Sequence, residues 1–239
     1  MEQNELKDLI LTSFNHSNID PKKEKINDLI TYINMLKEWN KKFNLTAITD
    51  FNEIVIKHFE DSLTVLKYIN INKDSKIIDI GTGAGFPGVP LKIMRPDINI
   101  TLLDSLNKRL IFLTELTNKL HIPAKIIHAR AENISHEPEY REVYDFAVSR
   151  AVAQLNTLLE LSLPFVILNG YFLAMKGKDS ANEIKSAETA LNALGGKIED
   201  VINFNLSDDS PRSIIVIKKI SQTPLIYPRT SAKILKSPL

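Results

Sequence analysis

The chain has 239 residues, 44% hydrophobic and 25% charged, with a formal net charge of +1. Those are the proportions of an ordinary soluble globular protein. Near neutrality gives no global electrostatic footprint for nucleic acid, although a local basic face balanced by acids elsewhere stays open. The absence of cysteine excludes disulfides, thiolate metal sites and cysteine nucleophiles.

The first sixty residues read as helical. Ile26, Leu29, Ile30, Ile33, Leu36, Trp39 and Phe43 recur at steps of three and four and make one apolar stripe. Asp20 followed by Pro21 is a start signal, an N-cap acid with proline in the first turn. A second helix is expected over about 51–68, FNEIVIKHFEDSLTVLKY. Residues 1–68 are read as a helical extension packed on a core at 69–220, followed by a tail at 221–239.

From about residue 75 the pattern alternates. Strands are expected at 76–80, 99–104, 124–129, 144–149, 171–176, 199–206 and 213–219. Helices are expected at 89–94, 107–120, 155–162 and 181–194. Strands alternating with helices argue a doubly wound α/β sheet of seven mostly parallel strands, Rossmann-like in class. Asp208, Asp209, Ser210 and Pro211 read as a turn, so the last two strands form an antiparallel pair at a sheet edge. The tail carries Pro224, Pro228 and Pro238 with Arg229, Lys233 and Lys236 and no acid; it is expected to be extended and basic.

The most informative segment is 77–88, IIDIGTGAGFPG. β-branched Ile77, Ile78 and Ile80 suit a buried strand. The glycines then permit a tight turn and close approach of a ligand, and the helix that follows presents N–H groups to it. GAGFPG matches the dinucleotide fingerprint, which alone is a weak signal. Asp79, two residues before the first glycine, would repel a pyrophosphate, and Pro87 removes an N–H. A cationic ligand fits Asp79 better: S-adenosylmethionine carries a sulfonium and an ammonium. Asp104, ending the second strand, can accept from both ribose hydroxyls. Its alternative reading is an N-terminal charge on the next helix, with Ser105 as the cap.

The methyl acceptor is constrained by what is missing. Pyrimidine C5 methylation commonly uses a cysteine nucleophile, absent here. Exocyclic amine methylation commonly uses an Asn/Asp-Pro-Pro-aromatic segment after the fourth strand, where this chain has Ser149-Arg150-Ala151-Val152. Guanine N7 needs neither device, because it carries a free lone pair. Positioning then suffices, without a general base. This permits N7 without selecting it.

Together the motifs resemble one family, the bacterial small-subunit ribosomal RNA methyltransferase G, also called glucose-inhibited division protein B. The resemblance rests on WNKKFNLTAITD (39–50), HFEDSL (58–63), DIGTGAGFPGVPLKI (79–93), LLDSLNKRLIFL (102–113), ARAE (129–132), SRAVA (149–153), MKG (175–177) and YPR (227–229). It implies a class I S-adenosylmethionine-dependent fold and transfer of a methyl group to N7 of a guanine in the 530-loop region of 16S rRNA. It implies cofactor contacts at Gly81 and Phe86, with Gly83 and Gly85 shaping the backbone of the site, a cofactor-pocket position for Arg150, and Ala131 and Glu132 on the adenine side, beside the cofactor-binding acids Asp79 and Asp104 already read from the turn. Several members have proline at the position of Ala84 and leucine at that of Phe86, changes that leave the backbone path intact.

Arg150 and Lys176 are the candidate catalytic side chains. Arg150 is otherwise a structural ion pair, Lys176 a surface lysine and Glu132 a solvated loop acid. His58 and Asp61 can position RNA or serve structure. Lys41, Lys42, Arg229, Lys233 and Lys236 are candidate phosphate contacts. The partner is 16S rRNA or the small ribosomal subunit. No metal centre and no membrane partner are expected: no apolar run approaches the roughly 18 residues that cross a bilayer, and polar MEQNELKDLI is not a signal peptide. A monomer in the cytoplasm is the default. The competing readings are a nicotinamide-dependent oxidoreductase built on GAGFPG and a non-catalytic ribosome-assembly factor.

Overall fold

The computed structural model describes residues 2–150, 152–178 and 180–239, with the backbone alone at Lys23 and Glu24. Helices α1 (Gln3–His16) and α2 (Lys23–Phe43) come first. The expected stripe faces inward: Ile26, Leu29, Ile30, Ile33 and Leu36 are buried. α2 begins later than Asp20-Pro21 suggests. Pro21 is buried in the linker, and extended Lys22 (φ −59°, ψ 151°) takes the cap position. Asn44 ends α2 in the left-handed region (φ 48°, ψ 57°), which asparagine tolerates better than most residues.

Residues 51–68 are helical throughout but not uniform. α3 (Phe51–Ile54) passes into a π-helical stretch, Val55–Glu60, and then into α4 (Asp61–Tyr68). Such π stretches often accompany functional sites, and this one carries Lys57 and His58.

Strands β1 (Lys76–Ile80), β2 (Asn99–Asp104), β3 (Lys125–His128), β4 (Tyr144–Arg150), β5 (Val166–Lys176), β6 (Gly196–Asn205) and β7 (Pro211–Lys219) form one sheet. Their order is β3-β2-β1-β4-β5-β7-β6. All pairings are parallel except those of β7, which runs antiparallel to β5 and β6. α5 (Gly88–Met94), α6 (Asn107–Lys119), α7 (Ala131–Ile134) and α8 (Leu155–Ser162) connect the first five strands. The expected helix at 181–194 is two, α9 (Ser180–Ser186) and α10 (Glu188–Leu194), separated at Ala187 (φ −95°, ψ −1°). β5 starts five residues earlier than 171. Its register against β4 jumps from Tyr144↔Val166 to Phe146↔Tyr171, which absorbs Asn169 at φ 66°.

Alternation along β1 splits its side chains between two cores. Ile77 joins the cluster containing α2 residues Leu29 and Tyr32 and α6 residue Phe112. Ile78 and Ile80 join the cluster of Leu158, Phe165 and Phe172. The N-terminal helices thus share a core with one face of the sheet. Glu60, fully buried, accepts from the Ser13 and Ser17 hydroxyls at 2.5 Å each and from the Ser207 hydroxyl and backbone N–H at 2.5 and 2.9 Å. Four donors make that burial tolerable and tie α1 to the β6–β7 loop.

The tail is not simply extended. Residues Ser231–Lys236 form helix α11. Upstream, the Arg141 guanidinium donates to the carbonyls of Thr223, Pro224 and Tyr227. Arg229 grips buried Glu160 through its backbone N–H and two guanidinium nitrogens, at 2.8, 2.8 and 2.6 Å. Removing one partner of a buried pair strands the other charge. Arg229→Ala should therefore cost about 3 kcal/mol in urea unfolding. Unchanged stability with weakened RNA binding would return Arg229 to the phosphate-contact role.

Candidate active site

β1 lies where the winding of the chain reverses, with β2 on one side and β4 on the other, and ligands of such sheets bind beyond the strand ends at that point. The glycine turn sits there. Gly81 and Thr82 donate backbone N–H groups to Leu103 O at 2.9 and 3.1 Å, suspending the turn from β2. Gly85, at φ 102°, has no room for a side chain: a Cβ would stand 2.6 Å from the Tyr32 hydroxyl. At Gly83, φ 61°, a Cβ would meet only Gly81 O, at an unstrained 4.0 Å.

Both acids act on this turn. The Asp79 carboxylate accepts from Thr82 Oγ1 at 2.7 Å and Gly88 N at 2.8 Å, through the same oxygen. Its other oxygen is buried without a partner, and burial pushes the carboxyl up to about 6. Asp79 thus stands buried behind the turn. Asp104 accepts from Gly83 N at 2.9 Å, Leu106 N at 2.9 Å and the Arg109 guanidinium at 3.1 Å. Its side chain supports the start of α6, but Ser105 is not the cap: Leu106 holds that position.

A cleft of about 1020 Å³ opens in front of the turn, at the upper end of the roughly 300–1,000 Å³ usual for small-molecule sites. Gly81, Thr82, Gly83 and Phe86 form one wall. The Phe86 ring is 5% exposed, stacked on Tyr32 (centroids 5.1 Å) and on His58 (4.6 Å, planes 16° apart). Arg150 lies over the same ring, 5.2 Å from its centroid. Its guanidinium donates to the carbonyls of Lys57 and His58 at 3.1 and 3.0 Å and reaches Asp61 at 3.3 Å. The structural ion pair and the cleft position coincide in this residue. Asp61 is shared with Arg212 at 3.4 Å. Lys176 is no surface lysine: it is 8% exposed and bonds to Ala153 O and Glu183, both at 2.6 Å.

His58 is fully committed. Arg150 Nη2 lies 3.1 Å from Nδ1, and Thr46 Oγ1 lies 2.9 Å from Nε2. A guanidinium only donates, so Nδ1 accepts and a neutral ring carries its proton on Nε2. Burial first, and the Arg150 charge second, lower its pKa to about 3. An imidazole resonance followed by NMR should titrate near pH 3; a midpoint near the ordinary 6.5 would break this arrangement. The unfolded chain takes up the proton first as pH falls. The contribution of His58 to stability is therefore complete above about 6.5 and is lost on acidification toward 3. Asp79 runs the other way: its destabilising effect grows as pH rises from 3.8 to about 6.

Of the sequence candidates, Gly81, Gly83, Phe86, Arg150 and Lys176 line the cleft, as do His58 and Asp61. Asp79, Gly85 and Asp104 stand behind its wall. Ala131 and Glu132 lie outside it, and the Glu132 carboxylate accepts from the Ser231 hydroxyl of the tail; Glu132 is not a solvated loop acid. Lys41 and Lys42 are exposed at the end of α2, a few residues before Thr46 on the cleft wall, and Lys233 and Lys236 are exposed on α11. Ala151 lies outside the described residues. Sequence reasoning missed Thr46, Lys57, Thr82, Arg109, Glu183 and Arg212 as cleft residues. Arg109 stands within the quoted DSLNKR stretch; Arg212 carries no sequence signal.

A family model described as rRNA small subunit methyltransferase G matches residues 25–211. The ribosomal RNA small subunit methyltransferase G of Acetivibrio thermocellus is 48% identical over 243 residues, covering 100% of both chains. The chain belongs to the rRNA small subunit methyltransferase G family. It is therefore a methyltransferase enzyme, and neither the oxidoreductase nor the non-catalytic reading stands. The member from Alkaliphilus oremlandii is 47% identical over 98% of this chain and 99% of its own. A solved S-adenosylmethionine-dependent methyltransferase from Aquifex aeolicus shares the fold, with a TM-score of 0.54 at 16% identity over 74% of this chain and 97% of its own. No helix among the described residues is long and apolar enough to cross a membrane.

Proposed function

We propose that the chain transfers the methyl group of S-adenosylmethionine to N7 of a guanine in the 530-loop region of 16S rRNA, acting in the cytoplasm on the small ribosomal subunit or its RNA. The observation that carries this reading is the cleft itself. Its wall at Gly83 is open, while the buried carboxylates of Asp79 and Asp104 stand behind the same turn. The unpartnered Asp79 oxygen leaves negative charge at the turn, which suits a cationic cofactor, so the residues present fit the group. Gly81, Thr82, Gly83 and Ser105 would hold it.

When bound, S-adenosylmethionine supplies an electrophilic methyl on a positively charged sulfur. The side chains of the chain position and exclude. Neutral His58, with both ring nitrogens engaged, neither takes nor gives a proton. That suits an acceptor that already owns a lone pair. Arg150 and Lys176 spend their donors on protein acceptors and act as positioning residues, holding the π-helical stretch and the end of β5 against the cleft. The carboxylates of Asp61 and Glu183 balance these cations.

The test is transfer of labelled methyl to small subunits lacking the modification, with the product mapped by cleavage at N7-methylguanine. One labelled guanine in the 530 loop is expected. No label with cofactor binding intact would overturn the acceptor.

A further inference from the structure

A second, smaller cleft of about 320 Å³ adjoins the first, and Gly177 and Arg212 line both. Three elements converge on it. β5 ends at Lys176, β6 ends at Asn205 and β7 begins at Pro211, all at the carboxyl edge of the parallel strands. Register places Lys176 and Asn203 on either side of Ser213, and Phe204 opposite Arg212. Asn203, Asn205 and the exposed Lys178 thereby line the cleft, while strand alternation turns the half-buried Phe204 ring to the other face of β6, against Tyr68.

Gly177 is the second observation. Its φ is not in the left-handed region, and a Cβ there would meet nothing within 4 Å. Neither turn geometry nor packing requires glycine. The missing side chain instead leaves the passage between the two clefts open.

We propose that the second cleft binds the nucleotide flanking the target guanine, with the RNA strand crossing at Gly177. The inference rests on the guanine-methylation reading above. The chemistry matches a single-stranded nucleotide. Lys178 meets a phosphate, and the two amides of Asn203 and Asn205 can read the edge of an unstacked base. A target base held in a cleft leaves its neighbour splayed, and this is the adjacent open site.

Gly177→Val and Lys178→Ala test it by equilibrium binding to small subunits lacking the modification, with cofactor affinity and melting temperature measured beside it. Gly177→Val should weaken subunit binding roughly tenfold, in line with the loss of the hydrogen bonds to one base, at unchanged cofactor affinity. Lys178→Ala should lower the slope of log affinity against log salt by about 0.7, the share of one single-strand phosphate. Wild-type affinity and slope in both variants would overturn the second cleft. Lost cofactor binding in Gly177→Val would assign that residue to the cofactor wall and do the same. Methyl transfer by the wild type is read in the same preparations. Transfer with variant-insensitive binding sinks the second cleft alone. Variant-sensitive binding without transfer sinks the N7 reading and leaves the second cleft as an RNA contact with no target guanine beside it.

Discussion

Replacing Arg150 with methionine is expected to reduce methyl transfer by about 100-fold or more, because displacements near 1 Å at a positioned site carry losses of that order. Methionine keeps much of the aliphatic volume but none of the donors. Two carbonyls of the π-helical stretch, the Ser62 hydroxyl and His58 Nδ1 all lose the Arg150 donor together, while the Ser62 hydroxyl still donates to the His58 carbonyl. Asp61, buried to 4% exposure, keeps Arg212 as its one basic partner among the described residues. Breaking a buried pair from one side costs about 3–5 kcal/mol, so the melting temperature should fall as well. Arg150→Lys separates the two effects. Lysine restores the charge beside Asp61 but not the planar fork that reaches several acceptors at once. It should recover most of the stability and little of the rate. Full recovery of turnover by lysine would reduce the role of Arg150 to charge balance.

Gly85→Ala is expected to unfold the turn, and Gly83→Ala to spare the fold and block the cofactor. At Gly85 the added methyl would lie 2.6 Å from the Tyr32 hydroxyl, 2.8 Å from Val89 and 2.9 Å from Leu113, at φ 102°. Overpacking and backbone strain together make about 3 kcal/mol or more. The Tyr32 hydroxyl cannot retreat cheaply, since it donates to Ala84 O at 2.5 Å. At Gly83 nothing obstructs the methyl, so only the left-handed strain of about 1–2 kcal/mol applies. That methyl enters the space facing the ligand. Urea unfolding together with cofactor calorimetry checks the pair. Equal destabilisation by both substitutions would refute the assignment of Gly83 to the ligand side.

Local patterns were legible from the chain. Short apolar, β-branched runs placed β1 at Lys76–Ile80 and β2 at Asn99–Asp104, and the helix expected at 155–162 is α8, Leu155–Ser162. Hydrophobic periodicity records what each short segment buries, and each of these buries a full face. It failed where a kink did not disturb that burial. The π-helical stretch inside 51–68 and the break at Ala187 keep their apolar residues inward, so neither shows in the spacing. The early start of β5 lies outside the apolar run at 171–176, because the strand passes through Asn169-Gly170 as a register shift.

The glycine turn, the acids that flank it and the family motifs were determined by the sequence itself, because each is a contiguous string whose chemistry is local. The tertiary structure alone decided what each charge does. Arg150 meets Asp61 across 89 positions, and Arg229 meets Glu160 across 69. No local pattern encodes such pairings, since the free energy of a buried ion pair depends on distance and desolvation after folding. The same holds for His58, made neutral by burial first and by an arginine far along the chain second, and for the two clefts joined at Gly177. A cavity is the space left between elements that pack from distant parts of the chain, and only their packing gives it a shape.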